Sequence, residues 1–533
     1  MSSSLADDFP LVLDVEDACG TDRSGTQSPY NSDGPRNLED VLDGPRAAAI
    51  HAVQHARNDL NYLDRIRSFV ECNMVVTSSL SGTGAFERQC LAARQDVAAA
   101  LNDCGIPVKL GKFVVYSATE SDSAAQTLLR SGGPVAPLHL FADVNDRLQE
   151  EDRKMLDEIC ADEIAVLKQS VTDQKRKLMS KEELKEAKAS CSGRLLEVLT
   201  DALKQLDFHQ SRECLICGKE CYVNPRDAGY SAEEWVWWEG AGTVCKPFSS
   251  MSLDSADWCD PSTLCTLAWA FTTRSMRPDR IIHECVTRFK EEVFAKIFKE
   301  EVPHKVKHGA FQSYDMKVSV FCPSDLGMPV RRPRKYCAFE LLPIRFPPLG
   351  IRFRDLFFRK LVCSGKVFMI ATKDELEFEQ DNRGKKASGS EEANIGNGLM
   401  DRLDGFMAQA KRQKLCDSSG GNWKIDAGFV NPLQNIEFTS GVSTCVPTLL
   451  CKSRIFDLVA CRELLVSEMW RAQGVAFPGR NLPTAVTPET NVVAVLSSVN
   501  NKSKNAISVT DQRRLVGNAM HAGQVTSWIL YSV

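Results

Sequence analysis

One local pattern, used twice in succession, narrows the possible folds more than anything else in the chain. In NMVVTSSLSGTGAFERQCLAARQDVAAAL (residues 73–101) a short β-branched apolar run meets Ser81-Gly82-Thr83-Gly84, and an amphipathic helical pattern follows. The order returns at once in KFVVYSATESDSAAQTLLRSG (112–132), where a strand ends near Glu120 and a helix begins. A third apolar run, LHLFADV (138–144), ends near Asp143. Strands that alternate with helices build a parallel sheet. The predicted fold class is α/β.

The rest of the chain is organised around interruptions of that rhythm. Residues 1–45 are rich in Asp, Ser, Gly and Pro and read as a disordered acidic leader. Residues 46–70 have helical apolar spacing. Residues 147–208 are charged and helix-forming, and read as a helical insertion. The strand–helix pattern resumes at EEWVWWEGAG and again at PDRIIHECV. Clusters of Gly, Ser, Asn, Lys and Glu over 376–425 read as a flexible insertion around one short helix, NGLMDRLDGFMAQAKRQK. There is no run of about 18 apolar residues, so no membrane span is expected. MSSSLADDFP has no apolar signal core. The twenty cysteines are therefore expected in a reduced, intracellular protein, as small hydrophobes, metal ligands or a nucleophile.

The ends of the strands are where an open α/β sheet binds ligands. Glycines in the Ser81-Gly82-Thr83-Gly84 turn let the backbone approach a ligand, and the helix N-terminus behind it favours a carboxylate or phosphate. Glu120 is placed to accept hydrogen bonds from ribose hydroxyls, and Asp143 to meet an adenine amino group. For each acid the alternative is a helix cap or a solvated charge. Taken together they favour an adenosine-containing cofactor. Further along, His209, Cys214, Cys217 and Cys221 form H-x4-C-x2-C-x3-C. Four such ligands at short spacing suit a structural zinc ion, with four unliganded side chains as the alternative.

The order of these motifs resembles the DNA (cytosine-5) methyltransferase family over roughly 70–340 and 441–533. SLSGTGAFE is similar to the family's Phe-x-Gly-x-Gly motif, ATESD and ADV to the next two, and GAGTVCKPFSSMS to the Gly-Pro-Pro-Cys-Gln-x-Phe-Ser loop. HECV resembles Glu-Asn-Val, GMPVRRPRKY resembles Gly-x-Pro-Gln-x-Arg-x-Arg, RELLVSEMWRAQGVAFP the motif ending in Gln-Gly-Phe-Pro, and RRLVGNAM the motif Gln-x-Gly-Asn-(Ala/Ser)-Val. The resemblance implies a Rossmann-like fold dependent on S-adenosyl-L-methionine, with a smaller target-recognition region over 341–440 and residues 441–533 completing the catalytic domain 46–340. It places Cys245 on the nucleophile, Glu284 on the catalytic acid, and Arg332 and Arg334 on the arginine pair. It sets Gly517 and Asn518 beside the cofactor. Val244, Lys246, Cys285 and Val330 stand where the family has Pro, Gln, Asn and Gln.

The chemistry asks for these residue types. Carbon 5 of cytosine is a poor nucleophile, and thiolate addition at carbon 6 turns it into an enamine-like one. A cationic neighbour such as Lys246 lowers a thiol pKa, an acid at N3 balances the ring, and guanidinium forks suit a carbonyl oxygen or phosphate. A paired base must be flipped out first. Residues 325–364 carry nine Lys or Arg (331, 332, 334, 335, 345, 352, 354, 359 and 360) against three acids, with Phe346, Phe353, Phe357 and Phe358 between them. This reads either as a phosphate-binding patch or as core phenylalanines with solvated charges. The expected partner is DNA in the nucleus, with RNA as the alternative, although KRQK (411–414) is too short to be a nuclear signal. A catalytically silent nucleic-acid-binding homologue is the rival from another class, and a zinc-stabilised scaffold is the more distant one.

Overall fold

Strand β1 (Asn73–Ser79) lies between β2 (Phe113–Thr119) and β6 (Trp235–Gly242), parallel to both, with Val76 opposite Val115 on one side and Trp238 on the other. The computed structural model describes residues 32–175, 178–248, 257–299, 313–342, 349–377, 390–434, 441–451, 453–476 and 507–533. Outward from β2 comes β3 (His139–Phe141), also parallel, and outward from β6 comes parallel β7 (Arg280–Cys285). Beyond β7 lie β9 (Arg334–Leu341), antiparallel, and then β8 (Tyr314–Phe321) on the edge. The order β3-β2-β1-β6-β7-β9-β8 reverses direction between β1 and β6. That is the switch point of a doubly wound, Rossmann-like sheet, where a crevice opens at the carboxyl ends of the strands. β1 is buried along almost its whole length, which explains its continuous apolar run.

The layers follow from helical spacing. Helix Ala85–Asp103 buries Phe86, Cys90, Ala93, Val97 and Leu101, which recur every three or four residues. Helices Gly44–Ala56 and Ala522–Ser532 share a core with it, and Trp528, fully inaccessible, sits against Phe321, Tyr336, Phe353 and Tyr531. The insertion forms two long helices, Glu150–Lys175 and Lys181–Gln205, the second opened by a Ser180/Glu183 capping box. Leu156, Leu195, Leu199 and Leu203 bring this pair into one core with helix Thr263–Met276. A two-stranded hairpin, β4 (Ser211–Cys214) and β5 (Lys219–Tyr222), leads back to the sheet. No disulfide joins any pair of the described cysteines, and no helix among the described residues is long and apolar enough to cross a membrane.

Three expectations change. The leader ends earlier than residue 45, because Asn37 caps helix Leu38–Leu42 and Leu38 and Val41 are buried; residues 1–31 lie outside the described residues. The segment after residue 341 begins as part of the main core, since Phe353, Leu356 and Phe357 pack beneath the C-terminal helix. A separate small core first appears around Leu403, Phe406, Ala410, Val430, Val442 and Leu458, and the short helix expected there extends over Ser390–Arg412. Part of the basic stretch turns inward or pairs, while Arg352 and Lys360 stay exposed. Phe353 and Phe357 are buried, Lys335 pairs with Glu291, Arg352 with Asp355 at 2.7 Å, and Arg359 donates to the Ala47 carbonyl at 3.3 Å. Arg345 and Phe346 lie outside the described residues.

Removing the aromatic keystone should loosen the whole assembly. Trp528→Ala is expected to cost about 3–5 kcal/mol, read as a lower urea midpoint. Leu60→Ala, at a 76% exposed position, should stay within about 0.5 kcal/mol.

Candidate active site at the carboxyl edge of the sheet

The crevice is built on one side by the turn that leaves β1. Leu80 has φ +54°, in the left-handed region that side chains avoid, followed by Gly82 at +55° and Gly84 at +73°. Gly84 caps the N-terminus of helix Ala85–Asp103, and Thr83 is buried beside it. Ser81 hydroxyl lies 2.6 Å from that of Ser78, and its backbone N–H donates to the Thr119 carbonyl at 3.1 Å, so β2 holds the turn. The Glu120 carboxylate, at the end of β2, accepts from Gly82 N–H at 2.7 Å and from Asp122 N–H at 2.9 Å. Burial pushes the Glu120 carboxyl up, against the hydrogen bond from Gly82.

The C-terminal motif closes over this turn. The backbone oxygen of Asn518 lies 3.7 Å from where a Cβ on Gly82 would stand. The Cys451 thiol contacts Asn518 Oδ1 at 2.8 Å, and Arg514 on the same helix pairs with Asp122. Gly517 is packed against the backbone of Leu450 and Cys451, leaving no room for a side chain. Gly242, the last residue of β6, sits where a Cβ would meet Met520 Cε at 2.7 Å and both Glu284 Oε2 and the Leu80 carbonyl at 3.7 Å. Its missing side chain lets Met520, Glu284 and the Leu80 carbonyl pack against the end of β6.

Beyond Gly242 lie the thiol and the acid. Gly242 pairs with Glu284 across β6 and β7, so the loop that follows, Thr243-Val244-Cys245, starts beside Glu284. Thr243 N–H donates to the Glu284 carbonyl at 3.3 Å, its hydroxyl meets His283 Nε2 at 2.7 Å, and the Cys245 thiol donates to the Thr243 carbonyl at 3.4 Å. The loop is anchored by Phe248 against Trp258 and Phe289. A hydrogen bond from the Cys285 thiol pulls the Cys245 pKa down, opposed by burial and the Glu284 carboxylate and aided by Arg334 and Arg332. Lys246 takes no part in this; its side chain is 78% exposed and faces Asp260 at 3.9 Å. The cation beside the thiol is therefore supplied from β9, not from the next residue.

Arg334 opens β9, and its Nε lies 2.8 Å from Glu284 Oε1 with both side chains almost inaccessible. Arg332 is equally buried, but its guanidinium donates to backbone carbonyls: Leu449 at 3.0 Å, Gly517 at 3.3 Å and Ala519 at 2.8 Å. It joins the C-terminal motif to the sheet, whereas Arg334 serves the acid. The two arginines expected to act alike do different work.

Asp143 caps the helical turn that follows it, accepting from Asn145 N–H at 2.9 Å and pairing with Arg153 at 3.4 Å. One other expectation is corrected. His209 stands apart from the cysteines, its Nδ1 3.3 Å from Gln149 Nε2. The histidine that meets Cys214, Cys217 and Cys221 is His139 of β3, with ligand atoms all within 4.8 Å of one another. Sequence reasoning also missed the buried support of the turn. Glu239 accepts from Ser79 at 2.7 Å and Trp269 at 2.9 Å, and Arg147 donates to Ser79 at 2.8 Å and Thr119 at 3.2 Å. An acid inside the apolar run WVWWEGAG was the signal for Glu239, since a buried charge requires partners; nothing local marked Arg147.

No protein-family model matches the chain, and no curated protein matches it. Among solved structures it is similar to the methyltransferase EhMeth of Entamoeba histolytica, at 12% identity and a TM-score of 0.37. A substituted form of DNMT2 from Spodoptera frugiperda matches at 13% identity and a TM-score of 0.35, and the Dnmt2 methyltransferase of S. pombe at 11% and 0.38. Each likeness covers 86% of this chain and 98% of the other.

The site makes two measurable statements. Alkylation of Cys245 should titrate below an ordinary thiol, and Cys285→Ala should raise that midpoint, because the hydrogen bond that favours the thiolate is removed. Burial pushes both His283 and His521 from 6.5 down to about 3. Their folded pKa lies below the unfolded one, so the stability they contribute is complete above about pH 6.5 and lost as pH falls towards 3. Each should cost up to about 1.4 kcal/mol per pH unit in that window. Urea midpoints recorded from neutral to acidic pH check this, and His521→Leu should flatten the slope.

Proposed function

We propose that the chain transfers a methyl group from S-adenosyl-L-methionine to carbon 5 of cytosine in DNA, through a covalent adduct on Cys245. The observation that carries this reading is the convergence of Cys245, Glu284 and Arg334 at the carboxyl edge of the sheet beside the glycine turn. The residues fit the cofactor. Where a Gly82 side chain would stand, the nearest group is the Asn518 backbone oxygen at 3.7 Å, and each Glu120 oxygen that holds a backbone N–H keeps a lone pair for a ribose hydroxyl. When bound, S-adenosyl-L-methionine supplies an electrophilic methyl group.

The protein's own part is to make carbon 5 reactive. The Cys245 thiolate adds to carbon 6, and Glu284 as the protonated acid donates a hydrogen bond to N3 as electron density moves through the ring. Arg334, on Glu284 Oε1, holds the carboxyl group in place and puts positive charge next to the pyrimidine carbonyl. Loss of the carbon 5 proton after methylation lets the thiolate leave. The target base has to be flipped or unpaired to reach a thiol at the bottom of this crevice, and the small core around Phe406 and Val430 is read as the target-recognition region.

The decisive experiment traps the adduct. DNA or RNA containing 5-fluorocytosine, incubated with labelled cofactor, should give a denaturation-resistant adduct on DNA, because fluorine cannot leave as the proton does. Cys245→Ala should abolish it, and Glu284→Gln should slow its formation by roughly 10²–10⁴-fold. Formation on RNA alone overturns the DNA assignment. No adduct on either, with cofactor still bound, overturns catalysis. Glu120→Ala should weaken cofactor binding at least about tenfold, read by calorimetry.

A further inference from the structure

We infer that His139, Cys214, Cys217 and Cys221 bind a zinc ion that clasps the β4–β5 hairpin to the edge strand β3. Their donor atoms all lie within 4.8 Å of one another although they come from three elements. A tetrahedral ion with Zn–S bonds of about 2.3 Å needs its ligands about 3.8 Å apart. Closing the site takes side-chain adjustment, not a rearranged backbone. Donors this close are too crowded for a four-iron cluster, and three thiols with one imidazole suit zinc.

The surroundings are built for a metal-bound thiolate. Cys214 Sγ accepts N–H donors from Leu140 and Cys217, both at 3.4 Å. The chain turns between Cys214 and Cys217 with Gly218 at φ +64°, and Gly218 N–H closes the turn on the Cys214 carbonyl at 2.8 Å. His139 Nδ1 lies 3.5 Å from Cys217 Sγ. Its ring meets the edge of Tyr116 at 4.9 Å, and the Tyr116 hydroxyl donates to the Tyr222 carbonyl at 2.8 Å. One tyrosine thus packs against the imidazole and ties down β5.

The hairpin also needs a staple. Its strands are four residues each, and only Phe141, Cys214 and Val223 form its buried cluster. Leu215 and Ile216 at its tip are exposed. A two-stranded ribbon with so little core is marginal by itself.

The test uses the full chain. Purified protein is assayed for zinc by mass spectrometry, and cobalt(II) is exchanged in to read the intense tetrahedral absorption and thiolate-to-metal charge transfer. Stoichiometric zinc is expected in the native protein and in His209→Ala, with a lowered melting temperature after chelation. His139→Ala and Cys217→Ser should lose at least tenfold in zinc affinity. Cys217 is exposed, so its serine variant should keep its fold, checked by circular dichroism. Native protein that carries no zinc and takes up none on titration overturns the proposal. So does loss of zinc from His209→Ala with retention in His139→Ala. The cobalt spectrum of the native chain decides the ligand set even where a variant fails to fold.

Discussion

A buried ion pair sets the terms for the site: Arg334 Nε and Glu284 Oε1 lie 2.8 Å apart with 8% and 6% of their side chains exposed. Either charge alone in that position would cost several kcal/mol. The partner has to come from the neighbouring strand, and strand direction decides whether it can. Glu284 is near the carboxyl end of β7. A parallel neighbour would begin at the opposite edge of the sheet, far from it. β9 runs antiparallel and opens with Arg334 at the carboxyl edge, so reversal of one strand delivers the guanidinium to the acid. The same reversal brings cationic charge close to Cys245, which the adjacent Lys246 does not.

A second constraint closes the molecule. Arg332 collects the carbonyls of Leu449, Gly517 and Ala519, so the C-terminal motif is held against the sheet and Asn518 arrives at the glycine turn. The carbonyl oxygens take the Nη groups of this buried guanidinium without a counter-charge directly on them. The cost of ordering distant segments is met by aromatic packing around Trp528. The chain ends and the first strand therefore depend on one another, and a site made of contacts so distant in sequence forms only when the whole sheet has assembled.

Much of this arrangement was legible. The strand–turn–helix repeat located β1 and β2, the ordered motifs located Cys245, Glu284, Arg334 and Asn518, and the charged stretch over 147–208 read correctly as helices. What failed did so for physical reasons. His209 was chosen because it is four residues from the cysteine turn in sequence, whereas parallel pairing of β3 with β2 brings His139 to that turn from far upstream. Two members of the basic stripe turn inward: arginines count as surface in a sequence, yet Arg332 and Arg334 are held by internal carbonyls and a carboxylate. Asp143, one residue before a short helical turn, caps that turn. Glu239 and Arg147 support the turn from below, and only the tertiary fold reveals that they share Ser79.

Sequence by itself determined the local pieces: which segments are strands and helices, where glycine must break them, and which thiol and acid stand at strand ends. Those follow from periodicity and from φ preferences, which act over a few residues. Tertiary structure alone decided the partners: Cys285 and Arg334 for the thiol and acid, His139 for the cysteines, carbonyls for Arg332. Hydrogen bonds and ion pairs act over a few ångströms, and the sheet order, not separation along the chain, decides which groups come that close.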